Sequence, residues 1–258
     1  MMKDYIVAIP ARYASTRFPG KPLALVGGMP MIKRVCLQSL KSRAKKVIVC
    51  TDDDRIKEAL SGLNHVEVCM TSNTLNCGTD RIAAMIGSMA VDKNTLIVNV
   101  QGDEPLINPK HIDAVASLLE NSDASMATLA YKILSVEELF NPNCVKVVLN
   151  KQQEALYFSR APIAFERDNF KQDKISILSI DHFHHMGIYA YRAGLVCEYA
   201  KMPQTTLEKA ESLEQLRLLE NGYKIKVGII ENPPEAGVDT PQDLERINAM
   251  IENGTITF

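Results

Sequence analysis

Short apolar runs alternate with segments whose apolar positions recur every three or four residues, and this rhythm persists through the first half of the chain. Tyr5–Ile9, Val47–Cys50 and Thr95–Val100 are mostly apolar and rich in β-branched residues, the composition of buried strands, and Val66–Met70 is strand-like. Between the first two, Met31–Leu40 is apolar at 31, 32, 35, 36, 37 and 40, which on a helix forms one stripe. Thr51-Asp-Asp-Asp54 offers N-cap side chains to a short helix ending near Gly62. Gly78-Thr-Asp-Arg81 opens a helix to about Ala90, with Thr79 as its expected cap, and Pro109 leads into Ile112–Leu119. Strand and helix in alternation predict an α/β fold with a mostly parallel, doubly wound sheet.

The middle of the chain changes character. Met126–Ile133, Val145–Leu149, Leu156–Phe158 and His184–Arg192 predict strands with only short helical segments between them. Residues 164–182 are polar and irregular and predict a loop or lid. A helix over 208–220, a strand Lys224–Ile230 and a helix over 241–252 restore the α/β pattern. The simplest arrangement is one domain over 1–258, with a β-rich lobe at about 126–205 inserted between parts at about 1–125 and 206–258.

Composition narrows the partners. The chain is 46% apolar and 23% charged with a net charge of −2, so neither nucleic acid nor an acidic membrane surface is expected as a partner. No apolar run approaches the ~20 residues of a membrane span, and Tyr5–Ile9 is too short for a secretory leader, so a cytoplasmic protein is expected. Six cysteines, at 36, 50, 69, 77, 144 and 197, include no C-x-x-C pair. Zinc and thioredoxin-like chemistry are therefore not expected, and Cys36, Cys50, Cys69 and Cys197 read as small buried hydrophobes.

Three segments carry candidate chemistry. Pro10-Ala-Arg-Tyr-Ala-Ser-Thr-Arg-Phe-Pro-Gly-Lys-Pro22 follows the first strand and combines Arg12, Arg17 and Lys21 with Gly20 and three prolines. A cationic, turn-rich loop in that place suits a phosphate chain. Neither G-x-G-x-x-G nor G-x-x-x-x-G-K-[ST] is present there, so side-chain cations must share the work with backbone N–H groups. Val100-Gln-Gly-Asp-Glu-Pro105 puts an acidic pair after a central strand, either to hold a hard cation such as Mg²⁺ or to cap the next helix. Asp239 follows the last strand, while Thr240 and Pro241 suit the N-cap and first position of the final helix. Asp103 and Asp239 could share one metal, although their spacing in sequence does not establish that they meet. On a strand, His185, Gly187, Tyr189 and Tyr191 share a face, and Met186 and Ile188 face the core. His184 and His185 then point apart, and with no thiolate nearby zinc is not expected.

Pro10–Pro22, Val100–Pro105, Tyr157-Phe-Ser-Arg-Ala161, Gly187-Ile-Tyr-Ala-Tyr-Arg192, Leu213-Glu-Gln-Leu-Arg217 and Gly237-Val-Asp-Thr-Pro241 together resemble the 3-deoxy-D-manno-octulosonate (Kdo) cytidylyltransferases, in the same order and over essentially the whole chain. The resemblance implies a nucleotide-diphospho-sugar transferase fold, Rossmann-like, with a β-rich lobe that serves dimerisation, and a homodimer. It implies transfer of CMP from CTP to Kdo with release of pyrophosphate, Mg²⁺ as cofactor, and a role in lipopolysaccharide synthesis. Carried over residue by residue, it implies nucleotide contacts from Ala11, Arg12, Arg17, Lys21, Thr71, Gly78, Thr79 and Arg81. It implies metal ligation by Asp103 and Asp239, which with Lys21 and Arg12 form the catalytic set. It implies sugar contacts from Gln101, Arg160, Arg167, His185, Tyr189, Glu214 and Gln215. The sequence departs from the family at Leu75 and Cys77, where His and Ser are usual, and at Ala164-Phe165, where Pro-Trp is usual. These departures leave the acceptor open between Kdo, its 8-amino analogue and another keto-acid sugar such as a sialic acid. A nucleotide-sensing regulator is the non-enzyme alternative.

Overall fold

In the computed structural model, residues 4–14, 18–75, 77–171, 177–231, 233 and 237–256 are described. The elements run β1 (Tyr5–Ala11), a 3₁₀ turn (Lys21–Leu23), β2 (Leu25–Val26), β3 (Met29–Pro30), α1 (Met31–Leu40), β4 (Lys46–Thr51), α2 (Asp54–Ala59), β5 (Val66–Met70) and α3 (Gly78–Ser88). They continue with β6 (Leu96–Asn99), α4 (Pro109–Glu120), β7 (Met126–Lys132), α5 (Val136–Phe140), β8 (Lys146–Leu149), β9 (Ala155–Ser159) and β10 (Phe183–Arg192). The chain closes with α6 (Ala193–Tyr199), α7 (Thr206–Glu211), α8 (Gln215–Glu220), β11 (Ile225–Ile230) and α9 (Pro241–Glu252).

The main sheet has the order β11-β7-β10-β6-β1-β4-β5. β1, β4, β5 and β6 run parallel, and β7 pairs parallel with β11. β10 is antiparallel to both of its neighbours, β6 and β7. The chain leaves β1 toward β4 and β5, then returns to β6 on the other side of β1. The crevice beyond the carboxyl ends of β1 and β6 is therefore a topological switch point, where open α/β sheets bind ligands.

Period-two alternation explains why the strands read as continuous apolar runs. Tyr5, Val7, Ile9 and Ala11 pack with Ile32, Val35, Ile112 and Val115 of α1 and α4. Ala8, Ile48 and Ile97 face the other way, onto Ile82, Met85, Val196 and Leu216 of α3, α6 and α8. Both faces are covered, and each fully buried aliphatic side chain contributes ~1.5–3 kcal/mol relative to exposure. A small third cluster seats Ile247 of α9 against Val26 and Met31.

Residues 126–205 contribute to the main sheet: β7 and the C-terminal half of β10 join it, and β8 and β9 extend it from the N-terminal end of β10. Two local expectations change. Thr79 is not the cap of α3. That helix starts at Gly78, so Cys77 is the N-cap and accepts from the Asp80 N–H at 3.4 Å. The helix expected over 208–220 is broken at Ser212, a left-handed residue at φ 53° that ends α7 before α8 begins. The polar segment 164–182 is anchored in its described parts by Glu166, whose buried carboxylate accepts from His182 Nε2 (2.7 Å), Asn169 Nδ2 (2.8 Å) and Ser179 N–H (3.0 Å). The Ser179 hydroxyl also donates to this carboxylate, and these donors, that hydroxyl foremost, pull the Glu166 pKa down to about 2.

A candidate active site of two adjoining clefts

The loops after β1 and β6 approach closely because glycine permits it. A Cβ on Gly102 would stand 3.0 Å from the Pro10 carbonyl, and Gly20 takes φ 71° at the turn that delivers Lys21. Lys21 then points across the crevice. Its Nζ donates to Asp103 Oδ2 at 2.5 Å, to the Val238 carbonyl at 3.0 Å and to Asp239 Oδ1 at 3.3 Å. Two carboxylates far apart in sequence thus converge on one cationic point. Two hard oxygen donors, with a third side open to substrate phosphate, suit a divalent cation, and the Lys21 ammonium marks where positive charge is wanted. Asp103 and Asp239 are the residues that would hold such an ion.

Arg12, exposed, lines this first cleft with Ala11, Lys21, Gly78, Arg81 and Asp103, in a volume of about 370 Å³. Arg17 lies outside the described residues. Arg81 is 3% exposed and its guanidinium is engaged, with Asp52 Oδ2 at 2.7 Å and Thr71 Oγ1 at 2.8 Å. Arg81 thus forms part of the wall, and Thr71, which does not line the cleft, braces it and is itself held to the Thr51 carbonyl through its N–H at 2.7 Å. The Thr79 hydroxyl donates to Glu214 Oε2 at 2.8 Å. Burial raises the Glu214 pKa, and this hydrogen bond partly offsets the rise.

A second cleft of about 440 Å³ opens on the other side of the β6 turn. Gln101 and Asp239 line both clefts, so the two volumes meet there. His185, Tyr189, Gln215, Glu104 and His184 form much of the second wall. A β-bulge between Met186 and Tyr189 leaves Gly187 exposed in that wall, and the buried Thr128 hydroxyl lies 3.0 and 2.7 Å from the Met186 and Ile188 carbonyls there. His185 and Tyr189 share one face with ring centroids 5.5 Å apart, while Met186 and Ile188 join the opposite core. The Tyr189 hydroxyl donates to Gln215 Oε1 at 3.2 Å. Gln215 Nε2 is buried and has no partner among the described residues. A buried amide with a spare donor beside a cavity is a ready contact for a ligand oxygen.

Glu104 was not singled out by its sequence, although it neighbours Asp103. Burial, then the charges of Asp103 and Asp239, push its pKa up to about 8, against the lowering effect of Lys21. Arg160 and Arg167 do not line either cleft. Arg160 donates from Nε to the Glu211 carbonyl (2.8 Å) and from Nη1 to that of Pro142 (3.0 Å), and Arg167 is exposed beside Asp168 at 3.2 Å. Leu75 and Cys77, two of the departures from the family pattern, line the first cleft and not the second. The expectation that no thiolate approaches the histidines also fails. The loop before β8 is tied to β10 by a hydrogen bond from the His185 N–H to the Val145 carbonyl (2.8 Å), and this brings Cys144 next to His184.

Burial lowers the His185 pKa to about 3. The unfolded chain takes up this proton below the ordinary value of 6.5 and the folded chain does not until about pH 3. Stability from this group is therefore complete above pH 6.5 and lost as pH falls from there toward 3. Thermal midpoints measured across that window should fall more steeply for the wild type than for His185→Gln; parallel curves would remove His185 from the account.

Comparison with known proteins agrees with this arrangement. The chain matches the cytidylyltransferase family over residues 6–225. A 3-deoxy-manno-octulosonate cytidylyltransferase of Stenotrophomonas maltophilia (strain K279a) is 50% identical over 255 residues, 97% of this chain and 98% of the relative. One from Vibrio parahaemolyticus serotype O3:K6 is 49% identical over 249 residues, 96% of this chain and 98% of the relative. A solved structure of CMP:2-keto-3-deoxy-manno-octonic acid synthetase complexed with CTP superposes with a TM-score of 0.87 at 37% identity, covering 98% of this chain and 100% of the other. A 4-diphosphocytidyl-2C-methyl-D-erythritol synthase shares the fold at a TM-score of 0.63 and 10% identity, over 96% of this chain and 100% of the other. With its parallel sheet, its switch-point crevice and relatives at half identity along nearly its full length, the chain belongs to the cytidylyltransferase family, among the 3-deoxy-manno-octulosonate cytidylyltransferases.

Proposed function

We propose that the protein transfers CMP from CTP to the anomeric hydroxyl of Kdo, giving CMP-Kdo and pyrophosphate for lipopolysaccharide synthesis. The observation that carries this reading is the junction of the two clefts at Gln101 and Asp239, beside Asp103 and Lys21. CTP occupies the first cleft and Kdo the second, so the hydroxyl oxygen meets the α-phosphorus at the seam. There the new P–O bond forms in line with the departing pyrophosphate, and the hydroxyl proton passes to solvent. Arg12 and Lys21 hold the triphosphate and balance charge on the leaving group, while the second cleft fixes the acceptor; such transfer depends on position and charge more than on covalent catalysis. Asp103 and Asp239 would hold Mg²⁺, which when bound would supply further charge neutralisation and favour ionisation of the acceptor hydroxyl. Gln215, His185 and Tyr189 orient the sugar acid. Arg160 and Arg167, which line neither cleft, make no contact with it in this reading. In this reading the part at about 1–125 handles the nucleotide, 126–205 serves sugar binding and dimerisation, and 206–258 returns to the main sheet.

Pyrophosphate release measured with CTP and, in parallel, Kdo, its 8-amino analogue and sialic acid tests the reading. Release is expected with Kdo, none without an acceptor, and much less with sialic acid. Preference for the 8-amino analogue would reassign the acceptor, and no release with any of the three would favour a nucleotide sensor.

We also propose a homodimer formed through the β-rich edge. Leu134 and Ile177 are 79% and 75% exposed and line one shallow groove with Ile180, and exposed apolar surface of this kind marks interaction sites. Light scattering should give twice the chain mass of 28.6 kDa, falling to one chain for Leu134→Asp with Ile177→Asp; a monomeric wild type would overturn the proposal. Among the described residues no helix is long and apolar enough to cross a membrane, and all six cysteines are free. A cytoplasmic location, where CTP is made and thiols stay reduced, fits this reading.

A further inference from the structure

Three side chains of different chemistry meet beside the second cleft, and of the three only His184 lines it. Glu138 comes from α5, Cys144 from the loop before β8 and His184 from β10, and one potential ligand atom of each lies within 4.8 Å of the other two. His184 Nδ1 stands 2.8 Å from Glu138 Oε1 and 2.6 Å from the Tyr131 hydroxyl. In the metal-free chain the Nδ1–H tautomer of His184 can donate to Glu138 Oε1. With that proton released, both atoms become available to a metal ion, which can engage the Cys144 sulfur as well.

We propose that Glu138, Cys144 and His184 form a binding site for a zinc-class transition-metal ion, separate from the Asp103–Asp239 pair. Nitrogen, sulfur and carboxylate donors select such an ion over Mg²⁺, which prefers oxygen alone. Ligands of one tetrahedral zinc stand ~3.5 Å apart, so the 2.8 Å His184–Glu138 contact would open slightly and Cys144, within 4.8 Å of both, would need only a small approach. The side chains of His184 and Glu138 are 19% and 24% exposed, and Cys144 is half-buried, which leaves an entry path and a fourth position for Tyr131 or water. A metal takes the neutral imidazole and the thiolate, so the Cys144 thiol proton is released to solvent on binding. Tyr131 and His184 also line the second cleft, so the bound ion would stand at its rim.

Cobalt(II) is the probe, because a cobalt–thiolate bond gives a near-ultraviolet charge-transfer band that oxygen ligands do not. Titration of the wild-type protein should produce this band at one cobalt per chain, and added Zn²⁺ should abolish it. Cys144→Ser, a one-atom change, should eliminate the band, and His184→Gln should weaken cobalt binding by about tenfold or more. Cys77→Ser should retain it. Circular dichroism of each variant establishes that the fold is intact. A wild-type protein without the band, or a band that survives Cys144→Ser, would overturn the site.

Discussion

Asp103→Asn is expected to lower turnover with CTP and Kdo by about 100-fold or more, the scale of losing a preorganised electrostatic contact to the transition state, while the protein stays folded. The substitution keeps the shape of the side chain and removes its charge. Asp103 is one of the two carboxylates that converge on Lys21 Nζ, at 2.5 Å, with Asp239 at 3.3 Å. Without its charge the pair retains half its attraction for a divalent cation, just where the phosphates add negative charge. The fold has other supports. Lys21 keeps the Val238 carbonyl and Asp239 as partners, and the Asp103 carbonyl still accepts from the Val238 N–H at 2.9 Å. Pyrophosphate release by the variant, read beside its circular dichroism and thermal midpoint, tests this, and near-normal turnover in a folded variant would remove Asp103 from the catalytic set.

Glu208→Ala is expected to destabilise the protein by ~3–5 kcal/mol, the usual result of leaving one partner of a buried ion pair alone. Glu208 and Arg217 are 3% and 6% exposed and joined by two bonds, Nη2 to Oε1 at 2.5 Å and Nε to Oε2 at 2.8 Å. Arg217 also stacks on the Tyr199 ring at 4.1 Å. Glu208 completes the capping box of α7 by accepting from the Thr205 N–H at 3.2 Å. Its removal costs both the pair and the cap, so the thermal midpoint should fall by on the order of 10 °C. The loss should reach the site as well, because α8 begins with Gln215 and follows Glu214. The Michaelis constant for the acceptor should rise more than turnover falls. Asp4→Ala, which breaks an exposed pair with Lys45, is the reference, and an equal effect of the two changes would refute the buried-pair account.

Much of the fold was legible because its signals are local. β1, β4 and β6 are buried on both faces, so their apolar runs have no alternation to misread. α1 and α9 lie near their expected bounds because stripe, Pro241 and the Thr240 cap are properties of neighbouring residues. The break at Ser212 was not legible. The residues on either side of it keep helical composition, and the two halves are set by a pairing between Glu208 and Arg217 that only the folded chain creates. Thr79 looked like a cap by residue type, but its hydroxyl is drawn to Glu214, a residue from another helix.

The site divides in the same way. Motifs carried by consecutive residues, the cationic loop after β1 and the acidic turn after β6, could be placed at strand ends from the sequence alone, together with the family they resemble. Which groups face one another could not. The meeting of Asp103 with Asp239, the raised pKa of Glu104 between them, the engagement of Arg160 with backbone carbonyls and the approach of Cys144 to His184 all depend on segments brought together across the sheet. By itself the sequence determined strands, helices, their order and the chemistry available at their ends, because propensity and periodicity act over a few residues. The tertiary structure alone decided the seam between the two clefts, because coulombic and hydrogen-bonding energies depend on distances of a few ångströms between groups that the chain separates widely.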